Sequence, residues 1–125
     1  MAEDGESRQE LLRHLSREMA QMQKEAFGKG PTSTKSYLVD DMLLIVMRDG
    51  LTQAETTMLG FGQHDLVRNF RQQFENEMTT RFVGMVENVT GRKVLAYQSQ
   101  ITFDPDVVME IFVFDRVGDG FVTAE

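Results

Sequence analysis

Cysteine is missing from this chain. Disulfides, thiolate nucleophiles and cysteine-bound zinc or iron–sulfur centres are therefore excluded. Proline occurs only twice in 125 residues, as Pro31 and Pro105, and each falls where a turn is expected. Long apolar runs are lacking too. The longest, Met42–Met47, has the length of a strand and falls far short of the roughly 20 residues needed to cross a bilayer. Direct membrane insertion is not expected. Positive charge is scarce: 13 Lys and Arg stand against 20 Asp and Glu, for a net charge of −7. Nucleic-acid binding leans on Lys and Arg, and Arg68, Arg71, Arg92 and Lys93, the candidates for a basic patch, alternate with acids. No nucleic-acid partner is expected. The opening Met1-Ala-Glu-Asp-Gly-Glu6 has neither the basic nor the apolar region of a secretory signal, which points to the cytoplasm.

What is present reads as a single domain with a sizeable core. Residues 1–8 are polar and expected to fray, residues 9–116 form the domain, and residues 117–125 form an irregular tail. Leu12, Leu15, Met19, Met22 and Ala26 recur at helical spacing, predicting a helix from Gln9 to Phe27 that Gly28 caps and Pro31 stops. Strands are expected at Thr32–Val39 and Met42–Met47, joined at Asp40-Asp41. Thr52-Gln-Ala-Glu55 has capping-box spacing and opens a short helix that Gly60-Phe-Gly62 breaks. A long helix follows over Asp65–Val89, its apolar stripe read as Leu66, Phe70, Phe74, Met78, Phe82, Met85 and Val89. Lys93–Phe103 and Val107–Phe114 are the last strands, turned at Asp104-Pro-Asp106. The fold class is α+β: a two-layer αββ-α-αββ sandwich with a four-stranded antiparallel sheet in the order 1-2-4-3 and two long helices on one face.

Two helices cover one face of such a sheet. Yet Val107, Met109, Ile111 and Val113 alternate with Val108, Phe112 and Phe114, and Met42, Leu44 and Val46 alternate with Leu43, Ile45 and Met47. A solvated face would be polar at alternate positions. The second face is therefore expected to be covered, in part by the short helix with Met58, Leu59 and Phe61, and otherwise by a second subunit. The residues assigned to that interface are Leu43, Ile45, Val108, Phe112 and Phe114. On this assignment Val108→Glu or Phe112→Glu would leave a folded monomer.

Other constellations have plainer readings. Asp40, Asp41, Asp104 and Asp106 would form a cation site if both turns lay at one end of the sheet, but Asp is a favoured turn residue and no spacing matches an EF-hand. Gly28-Lys-Gly-Pro31 is not a phosphate loop, because it ends a helix instead of opening one. Gly60, Gly62, His64 and Arg68, at the start of the long helix, are better placed to hold a small anion, and they make the alternative ligand site. His14 and His64 are read as surface or partly buried residues, and Glu75, Glu77 and Glu87 as a solvated helix face. Most of the nine methionines fall in the apolar stripes. No catalytic residue, metal site or cofactor is assigned, and an enzyme is not expected.

Gly28-Lys-Gly-Pro31, Asp41-Met42-Leu43, Leu51-Thr52-x-Ala54-Glu55 and Thr90-Gly-Arg-Lys93 with Asp104-Pro-Asp106 occur in this order. In this the chain resembles the MpsC-like family over roughly residues 8–116. That family is labelled as a component of a sodium-translocating, membrane-potential-generating system. The resemblance implies a link to membrane potential and inorganic-carbon uptake through a neighbouring membrane transport system. It brings no catalytic residues with it. It suits structural roles for Gly28, Gly30, Pro31, Gly91 and Pro105. The function expected is a non-enzymatic, homodimeric interaction or regulatory module.

Overall fold

The computed structural model describes residues 2–116. Its elements are α1 (Ala2–Phe27), β1 (Ser33–Val39), β2 (Met42–Arg48), α2 (Gln53–Gly60), α3 (His64–Thr90), β3 (Val94–Phe103) and β4 (Asp106–Phe114). The sheet order is β1-β2-β4-β3, antiparallel throughout. This is the α+β architecture that the two helix–hairpin segments predict. Gly28 and Gly91 end the long helices with φ of 77° and 71°, a left-handed conformation that costs glycine little.

Helix α1 begins at Ala2, ahead of its apolar stripe. Hydrophobic periodicity marks only the packed part of a helix, and backbone hydrogen bonding carries this one further. Arg8 fastens the early turns by donating to the Leu38 carbonyl at 2.5 Å. The expected tail at 117–125 lies outside the described residues.

The core lies between the helices and one sheet face. Leu15 and Met19 of α1, and Met78, Phe82 and Val86 of α3, pack on Leu43, Ile45, Met47, Val108, Phe112 and Phe114. The side chains expected to form the interface are thus the ones beneath the helices. Leu43, Ile45, Phe112 and Phe114 are fully buried, and Val108 is nearly so. This corrects the face assignment. Alternation separates the two sides of a strand, but both sides here are apolar, so nothing in the pattern marks which one the helices take. Helix α2 does not cover the other side; it packs on α3.

The stripe of α3 is also corrected. Its buried line is Val67, Arg71, Glu75, Met78, Phe82 and Val86, while Leu66 and Phe70 are about half exposed. Reading only apolar residues misses a face whose first turns bury a cation and an anion.

Phe112→Ala should lower stability by about 3–5 kcal/mol in urea denaturation. Phe112→Glu should abolish folding, because a carboxylate would sit unpartnered in the core. A folded, monomeric Phe112→Glu chain by circular dichroism and sedimentation would contradict this placement.

Candidate functional site: two buried polar networks and an uncovered sheet face

The first network ties the loop after β2 to its surroundings. Lys29 donates to the carbonyls of Asp49 at 3.0 Å and Leu51 at 2.9 Å. The Leu51 amide donates to Asp106 Oδ2 at 3.1 Å. Thr52 and Glu55 complete the capping box that starts α2. The Glu55 carboxylate then receives Arg71 twice, from Nε and Nη2, each at 2.7 Å, while Nη2 also reaches the Gly50 carbonyl at 3.0 Å. Arg71 is only 2% exposed, and its guanidinium lies 3.9 Å from the centre of the Phe27 ring. Burial disfavours the Glu55 charge, but hydrogen bonds from Arg71 and Thr52 outweigh it and hold the carboxyl below its ordinary value. The Gly-Lys-Gly-Pro, Leu-Thr-x-Ala-Glu and Asp-Pro-Asp segments therefore meet at one junction, which gives them a structural role.

The second network lies under α3. Tyr97 on β3 places its hydroxyl 2.8 Å from Glu75 Oε1 and 2.5 Å from Glu110 Oε1. Glu110 is 0% and Glu75 5% exposed. Burial pushes the Glu110 carboxyl well above the usual carboxylate range, and the neighbouring Glu75 carboxylate pushes the same way, against the nearby hydroxyls of Tyr97 and Ser99. Burial, with the charges of Glu110 and Glu75, likewise raises the Tyr97 phenol. A groove of about 330 Å3 opens beside this cluster, lined by Gln72, Glu75, Asn76, Thr79 and the β3 segment 97–100.

The uncovered sheet face is the third feature. Leu44 pairs with Ile111, Val46 with Met109 and Met42 with Val113 across β2 and β4, and Tyr37 and Val39 extend the patch onto β1. Tyr37, Val39 and Met42 are 46%, 56% and 38% exposed, and the others are partly exposed. Lys35 and Arg48 are the charged residues at the outward positions of the four strands, and no carboxylate stands there. A smaller apolar groove, of about 270 Å3, lies between α2 and α3, lined by Ala54, Met58, Leu66 and Phe70 among others.

The structure treats the other expected sites unevenly. Gly60, Gly62, His64 and Arg68 are all exposed near the start of α3. Arg68 stacks 4.7 Å from the Phe103 ring centre and lies 3.9 Å from Asp65, and His64 also meets Phe103. The two acidic turns fall at opposite ends of the sheet, since Asp106 neighbours Asp49 whereas Asp41 neighbours Phe114. This corrects the shared cation site: β4 runs antiparallel to β2 and so starts where β2 ends. Among the described residues no group of three or more His, Asp or Glu is arranged to hold a metal ion. Arg71, Glu75, Tyr97 and Glu110 were missed as a set. The available signals were Glu110 alone within an apolar strand and the four-residue spacing of Arg71 and Glu75.

Together these features define a two-layer α+β domain with one apolar sheet face left open. Residues 7–116 match the family model described as Na+-translocating membrane potential-generating system (MpsC), and the chain belongs to that family. No curated protein and no solved structure matches it. Among the described residues, no helix is long and apolar enough to cross a membrane.

Arg71→Met should cost about 3–5 kcal/mol, because it strands the Glu55 carboxylate in a buried site. Glu55 has a folded pKa below its unfolded value of 4.5, so its contribution is present at neutral pH and lost as pH falls through the folded value. Acidification below about pH 4.5 should therefore destabilise the parent chain more than Arg71→Met. Equal acid sensitivity in denaturation curves would contradict the assigned pair.

Proposed function

We propose that the chain is a non-enzymatic, cytoplasmic interaction module that pairs with a second copy of itself and assists a larger membrane-associated assembly. The observation that carries this reading is the uncovered apolar face centred on Leu44, Val46, Met109 and Ile111. Seven residues of the two central strands span on the order of 220 Å2 in projection, and Tyr37 and Val39 on β1 extend this to roughly 300 Å2. Apolar patches of that size on a folded monomer are commonly interaction sites.

Charge favours a second copy as the occupant. The chain carries a net −7, so most of its surface opposes self-association. The outward strand positions hold no carboxylate, which removes that opposition locally. The sheet is antiparallel, and two such faces related by a twofold axis make a self-complementary contact. The family name supports an association with a membrane system. A chain acting beside such a system, in place of spanning it, needs a surface for its neighbours, and the groove between α2 and α3 is available for a different subunit.

Ile111→Glu and Leu44→Glu place a charge at the centre of the proposed contact while sparing the core. Both variants should retain the parent circular dichroism spectrum and sediment as monomers. A dimer that survives both substitutions would overturn the use of this face.

A further inference from the structure

The Glu75–Tyr97–Glu110 cluster has more acceptors than the protons it would hold in its ordinary ionisation state. Tyr97 has one hydroxyl proton, yet its oxygen lies within hydrogen-bond distance of both Glu75 and Glu110. Two ionised carboxylates are acceptors only, so one of these contacts would be oxygen against oxygen with no hydrogen between. The second oxygens, Oε2 of Glu75 and Oε2 of Glu110, are both buried and neither meets a protein donor.

Charge gives the same answer. Among the described residues the ionisable side chains buried as a whole are Glu55, Glu75, Glu110 and Arg71; the partly buried Arg92 guanidinium stacks on the Phe114 ring. Arg71 sits one turn before Glu75 on α3, but its bonds go to Glu55 and to the Gly50 carbonyl. The surrounding elements supply no second cation. Across the sheet, β2 places Ile45 opposite Glu110, and β3 places Ser99 there. The buried face of α1 offers Leu15, Met19 and the uncharged Gln23. The charged group of α2 nearest the cluster is Glu55, another anion.

We propose that Glu75 and Glu110 form a site for one proton, held between them and Tyr97 at neutral pH, whose loss on alkalinisation loosens the seam between α3 and strands β3 and β4. Each partner comes from a different element, so the proton fastens the helix to the sheet. The groove beside β3 gives water an approach, since Glu75 and Tyr97 are part of its lining. An ionised pair would place like charges together in a dry seam, and opening toward that groove relieves them. The site makes the packing of this domain dependent on pH above the ordinary carboxylate range, independently of how copies assemble.

The test is urea denaturation of the full chain between pH 5 and pH 9. A carboxyl whose folded pKa is raised binds its proton more tightly when folded. Stability is then full below the unfolded value near 4.5 and falls as pH rises toward the folded value. Retention of one proton makes the folding equilibrium constant fall by up to tenfold per pH unit inside that window. Glu110→Gln supplies an N–H in place of the shared proton and should flatten the curve by that amount, and subtraction removes what the other titratable groups contribute. Identical slopes for the parent chain and Glu110→Gln would overturn the proposal. If that variant fails to fold, Glu75→Gln reads the same proton. Carboxyl carbon NMR of the unmodified chain reads it without substitution. One glutamate carboxyl that stays protonated above the normal range is expected, and ordinary titration of every glutamate would refute the site.

Discussion

The constraint on which this structure depends is a mismatch between a sheet and its helices. Strands β2 and β4 are apolar at nearly every position, and they lie together at the centre of the sheet. Burial of both faces would need a layer on each side. The chain provides long helices for one. Packing α1 and α3 on that side fills a core of Leu, Ile, Met, Val and Phe side chains and leaves the alternate set facing outward. The open face follows from topology: α3 must return the chain to the far side of β4, and it does so across the same face that α1 occupies.

Burying the helices against the sheet also buries charge. Arg71 and Glu55 form a two-pronged pair that anchors α2, α3 and the loop after β2. Such a pair gives up its hydration on burial, and it persists because Nε and Nη2 of Arg71 both find acceptors in Glu55 and the Gly50 carbonyl. Lower in the same helix, Glu75 has no cation and is matched with Tyr97 and Glu110 instead. The two networks differ in their electrostatics. One is balanced and favours ionised groups. The other lacks positive charge and favours a retained proton.

Much of the fold was legible in the sequence, because its signals are local. Gly28, Pro31, Gly91 and the Thr52–Glu55 capping box punctuate the helices, and the polar character of Ser33–Ser36 and Gln98–Gln100 placed β1 and β3 at the edges. Whether Leu43 and Phe112 or Leu44 and Ile111 faced the helices was not legible. Both sets are apolar, and a strand's side is set by packing with distant elements. Arg71, Glu75 and Glu110 were hidden for the opposite reason. A buried charge looks like a surface charge until its partner is known, and the partners here lie 13 to 22 residues apart in the chain. The family match adds a description, that of a membrane potential-generating system, which residue patterns alone do not contain.

Use of the open face by a second copy would show in the solution mass of the unmodified chain, measured by light scattering across a dilution series. A second copy seated on this face gives a mass of twice the 14.3 kDa chain, holding to low concentration. A mass of one chain at every concentration would contradict it.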